Sequence, residues 1–287
     1  MESNPATTSL SPFLVTHDFG IRVCRLGLAS YGKNSITTDD VHSALDQGVN
    51  FLNWAGMAES KSRGDVFTTA ISSLGARRKN VYVAVQFGAR SAADAAIQLR
   101  SLLALLRTDY VDLLTLYYIE HESEWEEMIA PGGALQYLQD AKRDGTVRHI
   151  GITSHQRKLA AQLAQTGVLD ALMIRYNAAH RGAEQDIFPV TQAIKVPVIA
   201  YTALRWGALL EPTPTDPPAF SVPIAPEWYR FVLQQTAVAV TLCAPTSRAE
   251  LDEDLTLLQA DGPLSAERYA ALKAHGDRVR QHAGTFR

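Results

Sequence analysis

Cysteine is nearly absent from this 287-residue chain, which holds only Cys24 and Cys243. Two thiols cannot build a disulfide framework, and their scarcity fits a reducing compartment. No charge of one sign is in excess. The 27 basic residues face 30 acidic ones, a formal charge of −3, so no basic surface is expected for nucleic acid or an anionic membrane. No apolar run approaches the roughly 18 residues that a membrane-spanning helix needs. The opening residues MESNPATTSLSPF lack a basic start followed by an apolar stretch, so no signal peptide is expected and the chain is assigned to the cytoplasm. No Gly-rich dinucleotide fingerprint follows any strand-like segment, which counts against a doubly wound open sheet. There are eight histidines, but none in H-x-x-x-H or H-E-x-x-H spacing. Glu120, His121 and Glu122 alternate in direction if extended, so they do not converge on one ion, and no metal is expected.

The chain does have alternation. Hydrophobic residues make up 46% of it and charged residues 20%, an ordinary globular balance. Short β-branched runs read as strands at 22–30, 50–55, 80–87, 110–118, 147–154, 171–176, 197–204 and 237–244. Helical periodicity follows each. Residues 91–107 are the clearest case: Ser91 is placed to cap, and Ile97, Leu99, Leu102, Leu103 and Leu106 supply an apolar face. Residues 37–48 open on Thr and Asp and close on Gly48, and 247–258 repeat the pattern. Eight strand–helix units in about 250 residues imply a closed parallel (β/α)8 TIM barrel, an α/β fold in one domain. Residues 1–20 read as an N-terminal extension, 21–262 as the barrel, and 263–287 as a C-terminal helix packed on it. The Pro-rich stretch 211–226 reads as a long loop after strand seven, on the face where barrel active sites lie. Cys24 and Cys243, on strands one and eight, read as buried, inert thiols.

Five stretches, in order and at the right spacing, resemble the aldo/keto reductase superfamily. They are VCRLGLASYG (23–32), LQYLQDAKRDGTVRHIGITSH (135–155), DALMIRYNAAHRGAEQDIFP (170–189), PVIAYTALRWGALL (197–210) and CAPTSRAELDEDL (243–255). The resemblance implies a barrel that binds NAD or NADP at the C-terminal ends of its strands and moves a hydride to or from a small carbonyl or alcohol. It also implies a catalytic tetrad of Asp, Tyr, Lys and His, since a carbonyl accepting hydride develops oxyanion charge and needs a nearby donor.

Matched to that pattern, all four tetrad positions differ here. The Asp position is Asn53 in NFLNWAGMAES, and the Tyr position is Ala58. The Lys position is Gln86, and the His position is Tyr117. Asp→Asn and Lys→Gln change both partners of a buried charged pair together, leaving a neutral amide pair. Trp54 replaces a small residue and is expected to narrow the pocket near the cofactor. Tyr117, or a loop residue near it, is the candidate proton donor. A tyrosine needs a cation to lower its pKa, and Lys61, Arg63 and Arg175 are the candidates. The plain alternative for Glu120, His121 and Glu122 is a solvated loop.

The resemblance carries over more fully to the cofactor positions. Thr153 and Ser154 stand where the carboxamide is held, Met173 stands in place of a Gln, and Tyr201 stands where an aromatic stacks on the nicotinamide. Thr202, Leu204 and Arg205 fit the phosphate-binding turn, and Ser247 and Arg248 fit the adenosine end. The alternative for Tyr201 is a core aromatic. Three functions follow: an NAD(P)(H)-dependent oxidoreductase with a rebuilt site, a regulatory barrel that binds nucleotide or ligand without turnover, or a non-redox lyase or hydrolase on the same scaffold. Each has a small-molecule ligand as its partner, with no nucleic acid and no membrane.

Overall fold

A computed structural model describes residues 10–30, 35–56, 65–282 and 284. Eight parallel strands close into a barrel, as expected. They are β3 (Leu26–Ala29), β4 (Phe51–Trp54), β5 (Tyr82–Phe87), β6 (Val111–Leu116), β7 (Val147–Ser154), β8 (Ala171–Arg175), β9 (Val198–Tyr201) and β10 (Val238–Cys243), with β10 pairing back onto β3. Two short strands precede them, β1 (Val15–Thr16) and β2 (Val23–Cys24), paired antiparallel.

The helices wrap the outside. α1 (Thr38–Asp46) follows β3, and α2 (Val66–Ser72) follows β4. α3 (Ala92–Leu106) follows β5, and α4 (Glu122–Ile129) and α5 (Ala134–Arg143) follow β6. α6 (Arg157–Ala164) follows β7, and α7 (Ala183–Asp186) and α8 (Phe188–Ile194) follow β8. α9 (Ala225–Leu233) follows β9, α10 (Arg248–Leu255) follows β10, and α11 (Ala266–His282) ends the series. Among the described residues no helix is long and apolar enough to cross a membrane.

Local chemistry sets the helix ends. Thr37 and Asp40 form a reciprocal capping box on α1, and Ser91 accepts from the Asp94 N–H at the start of α3. In α3, Ala95, Leu99, Leu102 and Leu106 are buried, a stripe at i, i+4, i+7 and i+11. Ile97 was expected on that face but is 59% exposed, because it lies about 200° around the helix from Ala95.

The run at 22–30 reads as one strand in sequence but breaks at Arg25. The Arg25 guanidinium donates to the carbonyls of Phe13, Leu233, Val238 and Ala239 at 2.7–3.3 Å. Those four bonds satisfy a part-buried charge and staple the N-terminal hairpin to the end of the barrel. Cys24 therefore sits in that hairpin, not on the first barrel strand. Both thiols are free and buried, and burial pushes Cys24 up to about 11.

The barrel interior is apolar at this closed end. Phe19, from the hairpin turn, packs 4.9 Å from Tyr82, which stacks on Phe51 at 5.2 Å. Leu113, Ala171, Met173, Ile199 and Val240 complete the plug. Gly27 leaves room for it, since a Cβ there would lie 2.8 Å from Phe51 and 2.9 Å from Leu242. Side chains alternate along each strand, so the polar residues of the inner face collect at the opposite, C-terminal end.

α11 packs over the loops at that C-terminal end. Arg181, after β8, pairs with Asp277 at 2.7 Å. Asp216, in the Pro-rich loop after β9, accepts from His275 Nδ1 at 2.9 Å and Arg278 Nε at 2.5 Å. Burial pushes the Asp216 carboxyl up, but the Thr213 N–H, His275 and Arg278 together hold it well below its usual range.

Candidate active site

Six strands place a side chain on the inner face at the open end: Asn53 on β4, Gln86 on β5, Thr115 on β6, Thr153 on β7, Arg175 on β8 and Tyr201 on β9. The register shows this. Asn53 stands opposite Ala84, Gln86 opposite Thr115, Thr153 opposite Met173 and Arg175 opposite Tyr201. Ala84, Leu113, Met173 and Ile199 belong to the inner plug, so residues two further along point the same way.

Thr115 Oγ1 donates to the Val85 carbonyl at 3.0 Å. Among the described residues, the buried atoms Asn53 Oδ1, Gln86 Oε1, Thr153 Oγ1 and Tyr201 Oη have no hydrogen-bond partner. Asn53 and Gln86, read as an amide pair, show no hydrogen bond between them. Each instead presents an unmet acceptor to the barrel mouth.

Trp54 is a correction. It was expected to narrow the pocket, but strand alternation turns it outward. It is fully buried against the helix layer, and its indole N–H donates to Asp65 and Thr68 at 3.1 Å. Ser154 faces the same way, and its Oγ accepts from the Gln156 N–H at 3.0 Å. Of the Thr153–Ser154 pair, only Thr153 addresses the mouth. Ala58, Lys61 and Arg63 lie outside the described residues.

The loop after β6 carries the ionisable groups. The Tyr117 N–H still pairs with the Phe87 carbonyl at 2.9 Å, which extends the strand by one residue and keeps Tyr117 on the inner parity. Its ring lies 4.0 Å from that of Tyr118, whose backbone is in the left-handed region at φ 48°. Such strain in a non-glycine residue is held by its surroundings and gathers at functional sites. Here Ile119 N–H bonds the Thr153 carbonyl at 2.9 Å and pins the turn to β7.

The trio Glu120, His121 and Glu122 divides. His121 is the N-cap residue of α4, where Glu124 accepts from the Glu120 and His121 N–H groups. Glu122 accepts from Gln162 on α6. Glu120 turns to β7, accepting from the His155 backbone N–H at 2.8 Å, with His155 Nδ1 at 3.2 Å and Gln156 Nε2 at 3.2 Å. The His155 ring stacks on Tyr118 at 4.4 Å and meets Tyr201 edge-on at 6.2 Å. Burial lowers the His155 pKa, Arg175 lowers it further, and Glu120 works against both. Burial raises that of Tyr201.

His155 escapes a reading of the sequence. It directly follows the Thr153–Ser154 pair, the only local hint of a role. Its partner Glu120 is 35 positions away, and only strand adjacency brings the two together.

The turn after β9 has an unusual backbone. Thr202, Arg205 and Trp206 have φ values of 55°, 51° and 54°, and Gly207 follows at 88°. The Asn177 amide clamps it by donating to the Thr202 carbonyl at 2.9 Å, and Leu204 packs against the core. Arg205 is buried, with Nη2 donating to the Gly284 carbonyl at 2.8 Å. At the far end Ser247 caps α10. Arg248 is held between Asp40 and Asp252, both at 2.8 Å. Among the described residues no cluster of three or more His, Cys, Asp or Glu side chains is arranged to hold a metal ion.

The comparisons agree with this architecture. The aldo/keto reductase family model matches residues 26–227. An aldo/keto reductase from Klebsiella pneumoniae, solved in complex with NADP and acetate, superposes with a TM-score of 0.75 at 17% identity, covering 92% of this chain and 95% of that one. The holo form of an aldo-keto reductase from Bacillus halodurans superposes at 0.71 with 20% identity, covering 89% and 93%. The chain belongs to the aldo/keto reductase family.

Proposed function

We propose that the protein is an NAD(P)(H)-dependent oxidoreductase that interconverts a small carbonyl and its alcohol, using an active site rebuilt without the family's tetrad. The observation that carries this is the ring of buried polar atoms at the open end of the barrel. Asn53 Oδ1, Gln86 Oε1, Thr153 Oγ1 and Tyr201 Oη each lack a partner among the described residues. An unmet buried polar group costs about 1–3 kcal/mol, so four of them on one inner face are best explained by a ligand that completes them.

The residues fit a nicotinamide dinucleotide at its reactive end. Thr153 and Tyr201 would hold the nicotinamide, and the clamped turn from Thr202 to Gly207 would cradle the phosphates. The adenosine end fits NAD better than NADP. Arg248 is engaged by two carboxylates, and Glu250 lies in the same turn of helix, so a 2′-phosphate there would meet like charge. When bound, the cofactor supplies a hydride to a carbonyl carbon. The protein must then bind the oxygen and deliver a proton. Tyr117 takes the place of the family's histidine, and its hydroxyl is the hydrogen-bond donor assigned to the substrate oxygen.

Titration of the purified protein with NADH and NADPH tests the reading, following nicotinamide fluorescence. Binding of NADH in preference to NADPH, with turnover on a carbonyl panel, is expected. Binding without turnover would favour a ligand-binding barrel, a role that the neutral Asn53 and Gln86 also suit. No binding of either at millimolar concentration would refute both readings.

A further inference from the structure

The structure places an acid–base pair at the mouth that the family's tetrad does not include. Glu120 comes from the loop after β6 and His155 from the end of β7. One carboxylate oxygen, Glu120 Oε1, accepts from the His155 backbone N–H at 2.8 Å and lies 3.2 Å from the ring Nδ1, an ion-pair distance. An ionised carboxylate only accepts, so Nδ1 carries a proton and the basic atom of the neutral ring is Nε2. Tyr118 stacks on one face of the ring, and Tyr201, on the inner ring of the mouth, meets it edge-on. The imidazole is therefore held by two groups of the loop after β6 and one at the end of β9, with the carboxylate on its Nδ1 side. None of the described side chains hydrogen-bonds Nε2.

We infer that His155, oriented by Glu120, is the proton donor and acceptor of this active site. This rests on the oxidoreductase reading above. In carbonyl reduction the C=O π bond breaks and C–H and O–H bonds form. The hydride comes from the reduced nicotinamide, which is oxidised. The proton comes from the His155 imidazolium, leaving the neutral imidazole. In alcohol oxidation the neutral Nε2 takes that proton back. His155 has a route for exchange with solvent: with Glu120, Gln156 and Lys158 it lines a surface cavity beside the mouth.

The groups facing His155 suit the role. Glu120 stabilises the imidazolium, Arg175 opposes it, and burial keeps the Tyr201 phenol neutral. Burial and Arg175 outweigh Glu120 and lower the pKa, which makes the imidazolium a stronger acid. Glu120 is a positioning residue, because it acts through the tautomer and orientation of His155.

The test uses the full chain, 15N-labelled at histidine, with His155 signals identified from H155Q. The parent at pH 8 is expected to show protonated Nδ1 and bare Nε2, and E120Q to lose that preference. Both variants should bind NADH within about twofold of the parent, yet reduce carbonyls roughly 10²–10⁴ times more slowly. The alkaline limb of the reduction rate–pH profile, where the imidazolium is lost, should vanish in H155Q. A parent protonated at Nε2, or H155Q with parental turnover, would overturn the assignment. So would a parent that binds a dinucleotide but reduces no carbonyl. A parent that binds neither NADH nor NADPH refutes the redox reading itself, a result distinct from the tautomer result.

Discussion

Thr153→Val removes one oxygen and keeps the shape. In the folded protein Thr153 is 2% exposed, and its Oγ1 has no partner among the described residues. Replacing an unmet buried hydroxyl with a methyl of similar size removes a desolvation penalty of about 1–3 kcal/mol. The free variant should be more stable than the parent by about 1 kcal/mol, the low end, because valine packs slightly differently. For a chain of this size that is roughly 2 °C in melting temperature. The same hydroxyl is assigned to the nicotinamide, so the variant should bind dinucleotide more weakly. Loss of one neutral hydrogen bond, about 0.5–1.5 kcal/mol, is a factor of roughly 2–13 in Kd. The two effects have opposite signs, which separates this reasoning from a general destabilisation. Thermal melts of parent and variant, with and without saturating NADH, measure both. A lower melting temperature for the free variant would show that the hydroxyl is already satisfied in the folded protein. An unchanged Kd would show that it does not meet the ligand.

Three further outcomes are expected. Tyr117→Phe should lower carbonyl turnover at least tenfold with little change in dinucleotide affinity, and parental kcat/KM would remove Tyr117 from the site. Tyr201→Ala should weaken dinucleotide binding by about 1 kcal/mol, the worth of an aromatic stack, and equal Kd values in a fluorescence titration would reject the stacking role. Asp254 on α10 is 3% exposed, near Tyr229 and Cys243, and burial pushes its carboxyl up to about 7 from 3.8. The folded state thus holds a proton that the unfolded chain releases, so stability falls as pH rises from about 4 to about 7. Three pKa units at 1.36 kcal/mol each make that loss about 4 kcal/mol. Asp254→Asn should flatten it, as read in denaturant melts across that pH range, and parallel profiles for parent and variant would refute it.

The barrel was legible in the sequence because its signal is local and repeated. Runs such as VRHIGITS and SAADAAIQLRSLLALLR carry their own periodicity, and eight strand–helix units leave few ways to close a sheet. Caps were equally local: Thr37 with Asp40, and Ser91 with Asp94, lie within one turn of each other. The family was legible from the order of five stretches, and with it the strand ends that carry Asn53, Gln86, Tyr117, Thr153 and Tyr201. Tertiary structure decided which way each of those residues faces and what it meets. Trp54 and Ser154 were one position out of phase with the mouth, and the pleat sent both to the helix layer. Arg205 matches the phosphate-binding turn and Arg248 the adenosine end of the family pattern. Folding brought Gly284 to one and Asp40 to the other, both distant in sequence. Glu120 and His155 meet only because β6 and β7 are neighbours in a closed sheet. Periodicity reports the face a residue shares with its chain neighbours, whereas a site is made by residues on separate strands, and closure of the barrel alone fixes those distances.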